Sequence, residues 1–279
     1  IAGGIEQGMV ADQLGDDGKP VFSALSRTCE TRDYFDPNNG CGTTSTAPEF
    51  PQTPEWYFNK WYRTDPGFNM ETDYELTLTL IDSNDPAVYA FDSDSFFPID
   101  GLLFGDNHQD DNSEYHNFHF TMELHTRFVH KPGRTFRFVG DDDLWVFIDG
   151  RKVIELGGIH APAAAEFTLN ENGIATIEYD SYMDNEPNKI VTKELGLKQY
   201  SRYDFDLFFA ERHTTGSNFH METTLDFSEG NYRLSPDSPV IDRGTPEMSE
   251  DQTCLDGNPR IMNCRPDMGA YEFYNDNEA

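Results

Sequence analysis

Positive charge is scarce in this chain. Its 279 residues hold 20 lysines and arginines against 51 aspartates and glutamates, a formal net charge of −31. Phosphate backbones demand a cationic surface, so no nucleic acid is expected as a partner. Long apolar runs are also missing. No stretch of about 18 apolar residues occurs, so no membrane insertion through a helix is expected. Cysteine is limited to four residues in two local pairs, Cys29 with Cys41 and Cys254 with Cys264. Neither spacing is the close doublet of a zinc ribbon. Four cysteines allow three connectivities, and local pairing predicts disulfides Cys29–Cys41 and Cys254–Cys264, hence an oxidising compartment. The opening Ile1-Ala2-Gly3-Gly4 has neither a methionine nor a charged n-region, and reads as processed or trimmed. Catalytic signatures are lacking as well. There is no G-x-S-x-G, P-loop or dinucleotide fingerprint, and no HxxxH or HExxH spacing for zinc. Acids are everywhere, but abundance is not evidence for two at the separation that glycoside hydrolysis needs. The chain is therefore expected not to be an enzyme.

What it does hold is aromatic side chains, 22 Phe and 13 Tyr among them, which need a core. Residues 5–50 are punctuated by glycine, aspartate and proline. Thr53-Pro54-Glu55 then reads as a helix start, continued by Trp56, Tyr57, Lys60 and Trp61 and ended by Asp65-Pro66-Gly67. Beyond it the apolar period is two. Leu76, Leu78 and Leu80 alternate with threonines, and Phe118, Phe120, Met122 and Leu124 with polar residues. Tyr203 to Phe209 and Phe219 to Leu225 do likewise. Such alternation marks strands with one buried face. Leu144–Ile148, Asp149-Gly150 and Lys152–Leu156 read as a hairpin with a type I′ turn. The fold class predicted is all-β, a sandwich with a short helix and long loops over residues 1–227. From 228 to 279 apolar density falls while Pro, Asp and Gly rise, which predicts a small irregular C-terminal appendage.

The sharpest local feature is Asp141-Asp142-Asp143 between the apolar stretches Phe138–Gly140 and Leu144–Ile148. Like charges side by side at the rim of a hydrophobic sheet are costly unless a cation or hydrogen bonds offset them. Calcium accepts six to eight mixed oxygen ligands and suits such a cluster. Neighbouring side chains of a regular strand point to opposite faces, so sharing one ion requires the backbone to turn, and Gly140 permits that. A solvated turn is the plain alternative. His160 follows Gly157-Gly158-Ile159, and Arg212 and His213 precede Thr214-Thr215-Gly216-Ser217-Asn218. Polar side chains on glycine-bearing loops are candidates for recognition.

These residues also carry a resemblance. Gly140 through Gly150, Leu156 through His160 and Leu207 through Phe219 resemble the fibro-slime domain family, which is similar to the PA14 superfamily. Supporting stretches include Trp61-Tyr62-Arg63, Phe96 through Gly101 and Asn117 through Thr121, so that the resemblance runs over roughly residues 5–226. It implies a β-sandwich on a secreted or cell-surface protein. In PA14-type lectins an Asp-Asp pair joined by a cis peptide holds calcium, and sugar hydroxyls complete its shell. That implies Asp141 and Asp142 as metal ligands, with Asn218 from the late loop, and with Asp143, standing where glycine is common after the pair, as an added ligand. Separately, Ser238 through Gly244 and Asp267 through Phe273 resemble the closing segment of secreted right-handed β-helix proteins.

The function expected is a secreted or cell-surface, calcium-dependent carbohydrate-binding or adhesion module. Asp141 and Asp142 would hold the ion, and His160, Arg212, His213 or Asn218 would bind glycan hydroxyls. The rival is a subunit of an extracellular fibre or matrix, with copies of itself as partners and calcium only stabilising a loop. The β-helix-like tail and the lack of an anchor segment favour that rival. A glycosidase is the weakest reading.

Overall fold

A computed structural model describes residues 5, 7–23, 35–36, 40–41, 54–84, 86–106, 108–180, 189–214 and 216–227. The chain divides into two units, Ile1–Phe227 and Ser228–Ala279. Everything from 228 on, including Cys254, Cys264 and the β-helix-like stretches, lies outside the described residues, as do Cys29 and the capping residue Thr53. Only the backbone of Cys41 is described, in a two-residue strand.

In chain order the strands are β1 (Phe35–Asp36), β2 (Gly40–Cys41), β3 (Thr79–Asp82), β4 (Val88–Ser93), β5 (His108–Gln109), β6 (Tyr115–His116), β7 (Thr121–Val129) and β8 (Arg134–Gly140). They continue as β9 (Asp143–Ile148), β10 (Arg151–Leu156), β11 (Ala163–Leu169), β12 (Ile174–Asp180), β13 (Lys189–Glu194), β14 (Arg202–Ala210) and β15 (Phe219–Thr223). One helix, α1 (Pro54–Phe58), precedes β3. Two antiparallel sheets dominate: β10-β9-β14-β7, and β13-β12-β11-β8-β15-β4-β3. The described residues are thus the all-β sandwich expected.

The sheets meet through phenylalanine. Phe136 of β8 lies 5.1 Å from Phe205 of β14, and Phe209 of β14 lies 5.3 Å from Phe219 of β15, centroid to centroid. Alternation along β14 sends Phe205, Leu207 and Phe209 into this core, while Phe208 joins a second cluster on the other face. There Trp145, Phe147 and Phe208 are covered by Met9 and Val10 of the N-terminal segment, Phe58 of α1 and Tyr62. The four-stranded sheet is therefore buried on both sides. This explains why β9 reads as an unbroken apolar run rather than an alternating one.

The N-terminal segment also shields the β10 edge, where an open row of backbone donors would otherwise invite pairing with another chain. The amide of Lys152 donates to the Asp12 carbonyl and that of Leu14 to the Gly150 carbonyl. The buried Lys152 ammonium donates to the Val10 carbonyl and pairs with Glu155, each at 2.7 Å.

The hairpin forms as expected, with Asp149 and Gly150 at φ 52° and 72°, the two positive values of a type I′ turn. Two elements are shorter than their patterns. The helix ends at Phe58, and residues 59–62 continue as turns. The leucine alternation becomes a strand only at Thr79–Asp82. Leu76 and Leu78 still pack against the core, but without a ladder partner.

Phe136 touches both Phe167 and Phe205 and is fully buried. Phe136→Ala is expected to lower unfolding free energy by about 3–5 kcal/mol, read by denaturant titration. A second prediction concerns the outer face of β7. His125 Nδ1 sits 2.7 Å from Asp206 Oδ1 and its Nε2 3.4 Å from Glu123 Oε2. The hydrogen bond to Asp206, then that to Glu123, pushes its pKa from 6.5 up to about 9. A raised folded pKa means stability that is fully present below pH 6.5 and lost as pH rises through 9. Melting temperature against pH should therefore fall across that window more steeply in wild type than in His125→Gln. Partial exposure keeps the effect small.

Candidate functional site

Strand register gathers the polar residues at one rim of the sandwich. Gly140, the end of β8, pairs with Phe219 at the start of β15 and with Ala163 at the start of β11. Ala210, the end of β14, pairs with Asp143 at the start of β9 and with Thr121 at the start of β7. Whatever follows β8 and β14 or precedes β15, β11 and β7 must therefore lie along this edge. Those connections carry Asp141 and Asp142, Glu211 to His213, Asn218, His160 and His119.

The Asp141–Asp142 peptide bond is cis. Asp141 accepts the Asn218 backbone amide at 2.6 Å through Oδ1 and the Asn218 side-chain amide at 2.9 Å through Oδ2. Asp142, 2% exposed, accepts the Arg212 backbone amide at 2.9 Å. A Cβ on Gly140 would lie 2.6 Å from the Asn218 carbonyl oxygen. Only glycine lets β15 enter this closely, and so seats Asn218 against Asp141.

Asp143 faces elsewhere. Its Oδ1 accepts the Gly158 amide at 2.7 Å and Arg212 Nη2 at 3.1 Å, and its Oδ2 accepts Arg212 Nε at 2.5 Å. This bidentate pair is buried on both sides. Burial raises the Asp143 pKa to about 7, against the lowering by Arg212. The guanidinium of Arg212 also lies 5.2 Å from the Trp61 ring centre. His160 is buried, its Nδ1 2.9 Å from the Ala161 carbonyl oxygen and its Nε2 without a hydrogen-bond partner. That ring lies beneath the surface rather than on it. The amide of His213 donates to Glu211 Oε1 at 2.9 Å.

Sequence reasoning passed over Glu211. It is 1% exposed, and its Oε2 is buried with no hydrogen-bond partner. Burial first, then the charges of Asp142 and Asp141, push its carboxyl far above the ordinary range. Asp141 is raised in the same way, chiefly by burial and further by Asp142. Three carboxylates, Asp142 and Glu211 buried and Asp141 half-buried, thus share the rim, while the side chain of Arg212 is committed to the fourth. A signal for Glu211 existed: it directly follows the apolar end of β14 just as Asp141 follows the end of β8. His119, at φ 62°, hydrogen-bonds the Arg212 backbone, and burial followed by His108 holds its pKa below 6.5.

The donor chemistry fits a hard cation: carboxylate and amide oxygens, one of them an orphaned buried oxygen. The hydrogen bonds to Asn218 and Arg212 turn the aspartates partly aside, and among the described residues no three His, Cys, Asp or Glu side chains are gathered into a ready metal cage. Nor, among them, is any helix long and apolar enough to cross a membrane.

Comparison with known proteins gives the chain relatives and a family. Three proteins of Dictyostelium discoideum, psiQ, psiR and psiD, are each 34% identical to the chain over 81%, 80% and 81% of its length. The chain spans only 19%, 19% and 37% of theirs. A solved structure titled a functionally unknown protein from Saccharomyces cerevisiae covers 51% of this chain and 89% of its own at 11% identity, with a TM-score of 0.20, too low to argue from. The PA14 domain model matches residues 56–238, more than half of the chain, and takes in the whole Asp141–Asn218 rim. PA14 domains in general are carbohydrate-binding and adhesion modules. The chain belongs to the PA14 domain family.

Proposed function

We propose that this domain is a secreted or cell-surface, calcium-dependent carbohydrate-binding module, and that it acts by binding rather than by catalysis. The observation that carries the proposal is the trio Asp141, Asp142 and Glu211. Burial and the neighbouring Asp142 raise the pKa of Asp141, burial and the charges of Asp142 and Asp141 raise that of Glu211, and one buried Glu211 oxygen is left without a partner. A protein gains nothing from that arrangement in the absence of a compensating charge. The finer resemblance to fibro-slime domains supports the same reading.

Asp141 and Asp142 would hold the ion, joined by Glu211 and by the amide oxygen of Asn218. Bound calcium would accept a vicinal diol in the positions the protein leaves open. Asp143 has a different part. Its pair with Arg212 holds the 211–213 turn in place, and through the Arg212 amide it positions Asp142. His213 and Asn218 are the side chains suited to sugar hydroxyls. His160, being buried, would support the loop from below. Weak single-site binding would be raised by display in several copies.

Titration calorimetry with calcium, followed by a glycan array with and without chelator, tests this. Wild type is expected to take up calcium at submillimolar to millimolar levels, and array signals should vanish in chelator. Asp142→Asn has a two-sided signature. In chelator it should melt no lower than wild type, because it removes a repelling charge. At calcium of about 100 times Kd, wild type should gain about 2.7 kcal/mol that the variant does not. Gly140→Ala should weaken calcium binding by displacing Asn218. A folded wild type that takes up no calcium at millimolar concentration sinks the proposal. Calcium uptake without any array signal, together with fibres in electron micrographs, would favour the fibre subunit instead.

A further inference from the structure

Beside the rim runs a groove of about 990 Å³, lined by residues of the 61–76 segment, the 98–104 turn and the 117–125 stretch. Sites for drug-sized ligands run to roughly 300–1,000 Å³, so this one has room for several pyranose rings in a row. We propose that it is an extended subsite for a neutral, linear, β-linked polysaccharide, so that the domain grips the body of a chain and not only a terminal sugar. This inference rests on the carbohydrate reading of the rim.

Exposed rings are the first ground. Phe68, Tyr74 and Phe104 line the groove and are 57%, 43% and 63% exposed. Single exposed apolar residues need no explanation, but several along one groove do. They are also held in place. Phe68 stands edge-on to Trp56 at 5.0 Å with the Lys60 ammonium over its ring, and Tyr74 stands edge-on to the core ring of Phe96 at 6.0 Å. The turn bearing Phe104 is braced by the Asn117 side-chain amide, which donates to the carbonyls of Leu102 and Ile99. Rings ordered before binding lose little freedom on contact. A β-linked glucan with equatorial hydroxyls presents C–H faces to such rings and hydroxyls to the polar groups between them.

Charge is the second ground. Glu71, Asp73 and Glu123 line the groove. Its cations face carboxylates: Arg63 Nε donates to Asp17 at 2.8 Å, and His125 pairs with Asp206 and Glu123. With a net charge of −31 behind it, the groove repels uronate or sulfated chains and admits uncharged ones.

Continuity is the third. His119 lines the groove and hydrogen-bonds the Arg212 backbone, whose amide holds Asp142. Trp61 lines it too and lies under the Arg212 guanidinium, and its carbonyl is held by Thr121 Oγ1 at 2.6 Å. A chain seated at the rim would thus run directly into the groove.

The test is calorimetry of the full chain in millimolar calcium with β-linked glucose oligomers of one to six units, repeated in chelator. The hexamer is expected to bind at least about tenfold tighter than glucose, and a Phe68→Ala/Phe104→Ala double variant to lose about tenfold of hexamer affinity with glucose affinity unchanged. An oligogalacturonate of six units should gain nothing over its monomer. Equal binding of hexamer and monomer, no hexamer binding at all, a silent double variant, or an oligogalacturonate as tight as the glucan each overturns the groove. If length dependence and the double-variant loss survive in chelator, the groove stands and calcium dependence falls. If calcium-dependent sugar binding persists without length dependence, the groove falls and the rim reading stands.

Discussion

The pairing of β8 with β15 and of β14 with β9 governs most of what this molecule can do. Both pairings are antiparallel, so each joins the end of one strand to the start of its neighbour. The Phe209–Phe219 and Phe138–Phe209 contacts between the sheets align the two pairs. A slip of one residue in either ladder would turn its phenylalanines outward. The aromatic core therefore determines, to within a residue, which side chains stand together on the rim. Asp141, Asp142, Glu211 and Asn218 are neighbours because Phe138, Phe209 and Phe219 are.

That dependence runs in one direction, and it explains what could be read from the sequence. Alternation in Tyr203–Phe209 and Phe219–Leu225 and the Asp149-Gly150 turn are local signals, and the structure follows them. The length of the leucine strand was not local. Leu76 and Leu78 bury as their pattern requires, but a ladder needs a partner, and β4 begins to pair with β3 only at Thr79. At the rim, three adjacent aspartates were conspicuous, yet adjacency says little about partners. Asp143 begins a strand and turns to Arg212, some 70 residues on, while Asp142 accepts a backbone amide from that same arginine. Glu211 escaped notice because one acid beside an arginine and a histidine reads as a charged turn. The register of β14 against β9 brings it to the rim as the third carboxylate. The Cys29–Cys41 and Cys254–Cys264 pairings and the tail belong to a different class, since they fall on residues outside those described.

Charge at the rim is arranged rather than merely abundant. Most of the 51 acids are surface groups that water solvates. The rim sorts its four differently. Asp143 receives a guanidinium and a backbone amide, enough to be held as a structural ion pair. Asp141 and Asp142 receive hydrogen bonds from Asn218 and Arg212, which bring no full charge of their own. Glu211 receives a backbone amide and lies against the Ser217 hydroxyl. The gradient from paired to orphaned runs along this one rim, and its unbalanced end is where a divalent ion would have most to neutralise.

The groove extends this logic away from the ion. Two of its walls come from segments outside the main ladders, the 61–76 segment and the 98–104 turn, and a third from the 117–125 stretch that runs into β7. The sandwich itself pins these down. Tyr62 donates its hydroxyl to the Phe209 carbonyl at 3.1 Å, at the very end of β14 that also leads into Glu211. Trp61 is held by Thr121 at the start of β7. Both anchors therefore sit on strand ends that build the rim, so groove and rim share supports. Calcium binding that tightens the 211–213 turn would, on this reading, also steady the floor of the groove. Recognition of one sugar by the ion and of its neighbours by the rings would then be a single cooperative event, set by the same strand register.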